Sequence, residues 1–232
     1  GLKASGKPDL ALVVNDGPLD TAAGVFTTNR VVAAPVVWSR RLLAGPEGGQ
    51  AGHARAVVLN SGSANACTGA QGLRDTEATA ARAAGLVGIE PDQVLVCSTG
   101  VIGERIDMPV LLEGVDVAAL ALADTPQAGT DAATAIMTTD TVSKEDALTV
   151  GTGEQSWTIG GMIKGVGMLA PGLATMLAVI TTDAVLTPEQ AQDTLASATM
   201  RTVNRINSDG CMSTNDTVLL LASGASGTTP SQ

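Results

Sequence analysis

The sequence predicts an α/β fold, of the α+β kind, on three observations. Short apolar runs with strand-like alternation interleave with Ala-rich or well-capped helical segments. Aromatic residues are nearly absent (Phe26, Trp38, Trp157 and no Tyr), so the core must be aliphatic. At 232 residues and 44% hydrophobic content the chain can bury a real core, in one large domain or two small ones. No internal repeat and no clear interdomain linker divides it.

In chain order, residues 10–15 (LALVVN) and 22–28 (AAGVFTT) read as strands parted by the turn Asp16-Gly17-Pro18. Residues 31–38 (VVAAPVVW) read as extended, with Pro35 pushing the strand to an edge or a bulge. A Gly-rich loop follows over 44–55. Residues 56–60 (AVVLN) form a short buried strand that runs into SGSANACTG, 61–69, a stretch too rich in Gly, Ser and Asn for a regular element. An Ala-rich helix is expected over 75–87, capped by Asp75 or Thr76. Residues 94–97 form a strand ending in Ser98-Thr99-Gly100. Helices are expected over 109–122 and from 131 to 137, the second running into MTTDT, 137–141. WTIGGMI, 157–163, alternates as a strand and delivers Lys164. Thr187-Pro188-Glu189-Gln190 is a capping box with Pro at the first helical position, and that helix reads through to about Ile206. NSDGCMSTND, 207–216, then leads to a strand at 217–222 and a mobile tail. Three polar runs thus follow apolar elements, the position where sites are commonly built.

Composition removes several classes of function. The net charge is −10, and the 13 basic residues are scattered. Phosphate backbones and anionic lipid both need clustered cations, so neither nucleic acid nor a membrane surface is an expected partner. The longest apolar run, around 165–180, is broken by Pro171 and is shorter than the ~20 residues of a spanning helix. The first residues, GLKASGKPDLALVV, carry no signal-peptide pattern. The expectation is a cytoplasmic protein. Cys67, Cys97 and Cys211 form no CxxC pair and read as reduced, small buried residues. His53, the single histidine, reads as a solvated loop residue. Zinc ligands of the usual kind are too few, and no GxSxG elbow exists to pair with His53.

The stretch KGVGMLAPGLATMLAVITTDA, 164–184, is the most constrained in the chain. A buried strand with a Gly-rich entry is the plainest reading. A dinucleotide loop, Gly165-x-Gly167-x-x-Ala170, is rejected, because Pro171-Gly172 would fall within the first turns of the helix it must open. A phosphate loop of the Walker type is rejected because Lys164 precedes the glycines. The third reading is self-cleavage between Ala174 and Thr175. An N-terminal Thr carries its own base, an α-amine with an ordinary pKa of about 7.7–8.0. The Thr175 hydroxyl would attack the Ala174 carbonyl, shift the acyl group from nitrogen to oxygen, and lose it to water.

That stretch closely resembles the cleavage-site signature of the ornithine acetyltransferase family, the ArgJ proteins of arginine biosynthesis. NSGSANACTG (60–69), STGVIG (98–103), MTTDT (137–141) and STNDT (213–217) resemble further family motifs in the right order, so the likeness spans nearly the whole chain. The resemblance implies an α/β sandwich of the DmpA/ArgJ type, processed by its own chemistry and assembled as an α2β2 heterotetramer. It implies Thr175 as nucleophile and first residue of the β chain, with Ala174 ending the α chain. It implies Thr99 and Gly100 as the oxyanion hole. Lys164, Thr175 and Thr138 (with Thr139 the neighbouring option) match substrate-binding positions. The activity implied is a ping-pong transfer of acetyl from N-acetylornithine to glutamate through acetyl-Thr175, with no cofactor; acetyl-CoA is a further candidate donor, as a substrate. Divided this way, residues 1–174 are an α chain incomplete at its start, and 175–232 open a β chain that continues in the family well past Gln232. The family often has Asn at the position of Ser63 and a more polar run at Cys211-Met212. Alternatives are a paralogue serving another pathway such as clavulanic acid formation, an N-terminal-nucleophile aminopeptidase or amidase, and an inactive truncated homologue.

Overall fold

The apolar runs assemble into two sheets. The computed structural model describes residues 1–45, 51–168 and 176–230. β1 (Leu10–Val14) pairs antiparallel with β3 (Ala56–Ser63), which runs parallel to β4 (Val94–Val101), in the order β1-β3-β4. The second sheet takes β2 (Thr21–Phe26), β5 (Glu145–Val150), β6 (Trp157–Lys164), β7 (Leu177–Thr182) and β8 (Thr217–Ala222) in the order β2-β8-β7-β6-β5. All its pairs are antiparallel except β7 with β8.

Alternation along the strands decides the layers. Val57, Leu59, Leu95 and Cys97 of the first sheet meet Met162, Leu177, Val179, Leu219 and Leu221 of the second in one buried cluster. On its other face the first sheet presents Ala56, Val58, Val94 and Val96. These pack on α1 (Ala34–Ala44), α2 (Gly69–Val87) and α3 (Met108–Leu120) through Trp38, Ala80, Ala83 and Val115. The far face of the second sheet presents Ala23, Ala178, Val218 and Leu220 to Ala191 and Leu195 of α5 (Pro188–Arg201). α4 (Pro126–Ala135) adds Ala133 and Ala135 to the inter-sheet cluster. The architecture is helix, sheet, sheet, helix: the α/β sandwich expected from the sequence, with an aliphatic core. Each large side chain buried there contributes about 1.5–3 kcal/mol.

Several expectations need correction. Residues 34–44 are helical rather than extended, because Pro35 sits in the first turn, where its missing N–H costs nothing. Ser61–Ser63 continue β3, since the parallel ladder to Thr99–Val101 of β4 satisfies their backbone despite their polarity. α2 starts at Gly69, so Asp75 and Thr76 are buried within it and cap nothing. α4 begins earlier than expected, at Pro126 with Thr125 as its cap. The sequence reading lacked β5, an edge strand exposed along its length. α5 has the expected capping box but ends at Arg201, short of Ile206. Residues 223–230 are tied down by hydrogen bonds such as Ser226 Oγ to the Asp183 carbonyl and Val185 N–H to the Thr228 carbonyl. Cys97 is buried as expected, whereas Cys67 and Cys211 are exposed. His53 is half-buried, with Nδ1 2.8 Å from Asp20 Oδ1.

Candidate active site

Period-two alternation carries two polar residues into the inter-sheet layer. Leu95 and Cys97 point inward, and Thr99 continues their face of β4. Met162 points inward, and Lys164 continues its face of β6. Thr99 is 3% exposed and Lys164 only 1%. Lys164 Nζ donates to Thr99 Oγ1 at 3.3 Å, a bond that crosses from one sheet to the other. Lys164 is therefore not a surface lysine. A hydroxyl that accepts from an amine keeps its own proton free to donate.

Gly100 follows Thr99 at φ +135°, a conformation that L side chains rarely adopt. A Cβ there would lie 2.3 Å from the Gly62 carbonyl carbon on the paired strand. Only glycine lets the two backbones approach so closely.

Two acids complete the site, and neither was singled out from sequence. The Asp140 side chain is 1% exposed. Its Oδ1 accepts from Lys144 Nζ at 2.5 Å and from Gly165 N–H at 2.9 Å, and its Oδ2 accepts from Thr138 N–H at 3.2 Å. It thus ties the MTTDT loop to the residue after Lys164. Burial acts to raise the Asp140 pKa, but the Lys144 hydrogen bond, the two N–H donors and the Lys164 charge outweigh it and hold it below the usual carboxylate range. Asp216 is fully buried, and its Oδ1 accepts from Met176 N–H at 2.8 Å. Burial pushes its carboxyl up to about 7, against the opposing pull of the Met176 N–H, the Thr27 and Ser213 hydroxyls and the Lys164 charge. Even so, Thr27 Oγ1 donates to the Ser213 carbonyl, and Asp216 Oδ2 has no hydrogen-bond partner among the described residues. Desolvation likewise lowers the Lys164 pKa, a tendency that Asp140 and Asp216 oppose and Lys144 and Lys3 reinforce.

Behind these groups the three polar runs interlock. Asn215 Nδ2 donates to the carbonyls of Ala64 (2.6 Å) and Ser98 (2.8 Å), and Ser98 Oγ donates to Asn60 Oδ1 at 2.5 Å. The loop before β8 is thereby fastened to the ends of β3 and β4. Of the residues expected from sequence, Thr99 and Lys164 touch and Gly100 adjoins them. Thr138 and Thr139 are exposed, and Thr138 is linked to the Lys164 end of β6 through Asp140. Ala174 and Thr175 lie outside the described residues; Met176, the next residue, is 3% exposed. Asp140 and Asp216 had one signal in the sequence: each is the single charged residue in a motif otherwise made of Met, Ser, Thr and Asn. No group of His, Cys, Asp and Glu able to hold a metal ion occurs among the described residues.

Fold and site define an α/β sandwich protein with an amine and a hydroxyl in contact between its sheets and two buried acids in the adjoining loops. The family model of the ArgJ family matches residues 1–232. The arginine biosynthesis bifunctional protein ArgJ of Bifidobacterium longum is 60% identical over 97% of this chain and 55% of its own length. The protein of the same name from Streptomyces coelicolor is 57% identical over 99% of this chain and 57% of its own. The ornithine acetyltransferase of Mycobacterium tuberculosis, solved as a complex with ornithine, superposes with a TM-score of 0.68 at 47% identity, covering 76% of this chain and 88% of that one. This chain belongs to the ArgJ family. It spans about half the length of the curated relatives it matches.

Proposed function

We propose that this chain is part of an acetyltransferase that moves acetyl from N-acetylornithine to glutamate through an acetyl-threonine at Thr175. The observation that carries the proposal is the inter-sheet contact between Lys164 and Thr99, 3.3 Å long and closed to solvent, beside Gly100. Strand register supports the reading through the described residues that follow Thr175. Lys164 pairs with Leu177 across β6 and β7, and Leu177 and Val179 face the inter-sheet cluster. The names of the relatives and the ornithine complex of the Mycobacterium tuberculosis protein support the substrate class.

In this reading the chain cuts itself before Thr175, leaving residues 1–174 as α chain and opening a β chain at 175. The new α-amine takes the Thr175 hydroxyl proton as the oxygen attacks the acetyl carbonyl. The tetrahedral oxyanion is met by the Thr99 hydroxyl and the Gly100 N–H, one such donor being worth about 3–4 kcal/mol of barrier. Ornithine leaves with a proton on its nitrogen. Glutamate's amine then attacks the acetyl ester and N-acetylglutamate departs, freeing the hydroxyl. Burial suits Lys164 to a cationic or proton-donating role at the reacting centre better than to an open clamp for a substrate carboxylate. Thr138 is the substrate-side residue of the MTTDT loop. Assembly is as an α2β2 heterotetramer in the cytoplasm, with acetyl-CoA as an alternative donor.

Intact mass of the purified protein tests the cut. Two chains that part before Thr175 are expected, and Thr175→Ala is expected to stay whole and lose transfer. A wild-type chain that never divides, or full transfer by Thr175→Ala, would sink the proposal. Comparing N-acetylornithine with acetyl-CoA as donors decides whether one or both acylate Thr175.

A further inference from the structure

Lys164 reaches Thr99 through a long, flexible stem, and the backbone on both sides of it is held by residues 140–144. The Lys144 carbonyl accepts from the Ile163 N–H at 2.9 Å. On the other side, the Gly165 N–H donates to Asp140 Oδ1 at 2.9 Å, and Lys144 Nζ donates to the Gly165 carbonyl at 3.4 Å. Lys144 Nζ also donates to Asp140 Oδ1 at 2.5 Å, so an ion pair closes over both polar groups of the Gly165 backbone. Gly165 has φ +152°, a conformation that L side chains rarely adopt. The other carboxylate oxygen, Oδ2, accepts from the Thr138 N–H at 3.2 Å. One buried acid thus serves two places: Oδ1 holds the exit of β6, and Oδ2 holds the MTTDT loop.

We propose that Lys144 and Asp140 are positioning residues: as a pair they clamp Gly165 and so hold the Lys164 ammonium against the Thr99 hydroxyl. The role rests on the reading above that puts Lys164 and Thr99 at the reacting centre. Hydrogen bonds between charged partners are short and strong, which suits them to fixing backbone in one place. The contact they protect is easily lost. Lys164 has a flexible four-carbon stem, and its bond to Thr99 is 3.3 Å long. A displacement of about 1 Å at a reacting group can lower a rate about 100-fold. The clamp acts through Lys164, and no bond is made or broken at Lys144 or Asp140.

Lys144→Met removes the grip on the Gly165 carbonyl and leaves the bond between Asp140 and the Thr138 N–H in place. Steady-state transfer from N-acetylornithine to glutamate is expected to keep KM for N-acetylornithine within about twofold, while kcat falls about tenfold or more. Lys144→Arg can still pair with Asp140 and reach the Gly165 carbonyl. It is expected to recover kcat to within about threefold of wild type. Wild-type kcat in Lys144→Met, a loss that falls on KM alone, or a kcat as low in Lys144→Arg as in Lys144→Met would overturn the clamp. Should Lys144→Met not fold, hydrogen exchange in the wild-type protein decides. The Gly165 amide is expected to exchange at least about 100-fold more slowly than an open-loop amide, and exchange at the open-loop rate overturns the clamp. Full transfer by Lys164→Met defeats the reading of the site and this role together. An impaired Lys164→Met beside an unaffected Lys144→Met defeats only the clamp.

Discussion

Lys164 is a buried amine whose single hydrogen bond in the described structure is to a hydroxyl. A cation so placed is costly for stability, because desolvation is not repaid by a close ion pair. Residues retained at such cost commonly serve function. Lys164→Met fills similar space without the charge. It is expected to leave the melting temperature unchanged or raised by a few degrees, while acetyl transfer falls about tenfold or more. Thermal melts alongside steady-state kinetics check this, and unchanged kinetics would remove Lys164 from the site. The same residue shows what a sequence pattern can and cannot say. A Lys beside paired glycines looked unusual, but its burial followed only once β6 was packed against β4.

Among the elements, the β3–β4 ladder bears most directly on the site. Near its end the pairs Ser61 with Thr99 and Gly62 with Gly100 hold the donors proposed to meet the oxyanion. Gly100→Ala puts a methyl group against the Gly62 carbonyl at a φ of +135°. The strain is expected to cost about 1–3 kcal/mol of stability and to displace the donor enough to lower kcat about 100-fold. Gly103→Ala has positive φ but open space around it, so it controls for backbone strain without the clash. Urea melts and kcat measured on both variants distinguish the two effects. The helix at 34–44 carries the opposite lesson. Its Val36-Val37 pair and Pro35 suit an edge strand by propensity, yet Trp38 Nε1 donates to the Val94 carbonyl and Ser39 Oγ to the Val96 carbonyl, contacts that favour a helix lying on the sheet. Local preference could not anticipate them.

Across the whole molecule, net charge is −10, and two buried carboxyls, Asp140 and Asp216, have pKa values that the fold moves. Asp140 and Asp216 work in opposite senses. The folded state depresses the Asp140 pKa, so its contribution is present above the unfolded value of about 3.9 and is lost as pH falls through the folded value. The folded state raises Asp216 to about 7. Its contribution is full below about 3.9 and disappears as pH rises through about 7, because the native state binds the extra proton. In uncut Thr175→Ala protein, stability is therefore expected to decline between about pH 4 and 7 from this group. Adding Asp216→Asn should remove that share of the decline. Denaturant melts across the pH range measure it, and equal slopes in the two proteins would refute the assignment.

Much of this was legible in the chain itself. The apolar runs at 10–15 and 217–222, the alternation at 157–163 and the capping box at Thr187 are local signals, and the structure has strands and a helix there. The order of polar motifs sufficed for the family, because each motif is contiguous and needs no partner to be read. Thr99, Gly100 and Lys164 could be named as candidates for the same reason. What the sequence by itself determined is therefore the aliphatic core, the interleaved α/β elements and the motifs that mark the site. Only the tertiary structure decided which polar residues are buried and which meet. Asp140 and Asp216 stand out because they sit where separate loops converge on the ends of β6 and β7, each with a distant backbone N–H partner, 25 residues away for Asp140 and 40 for Asp216. Desolvation, which moves their pKa values, is a property of that convergence and of no single stretch of chain.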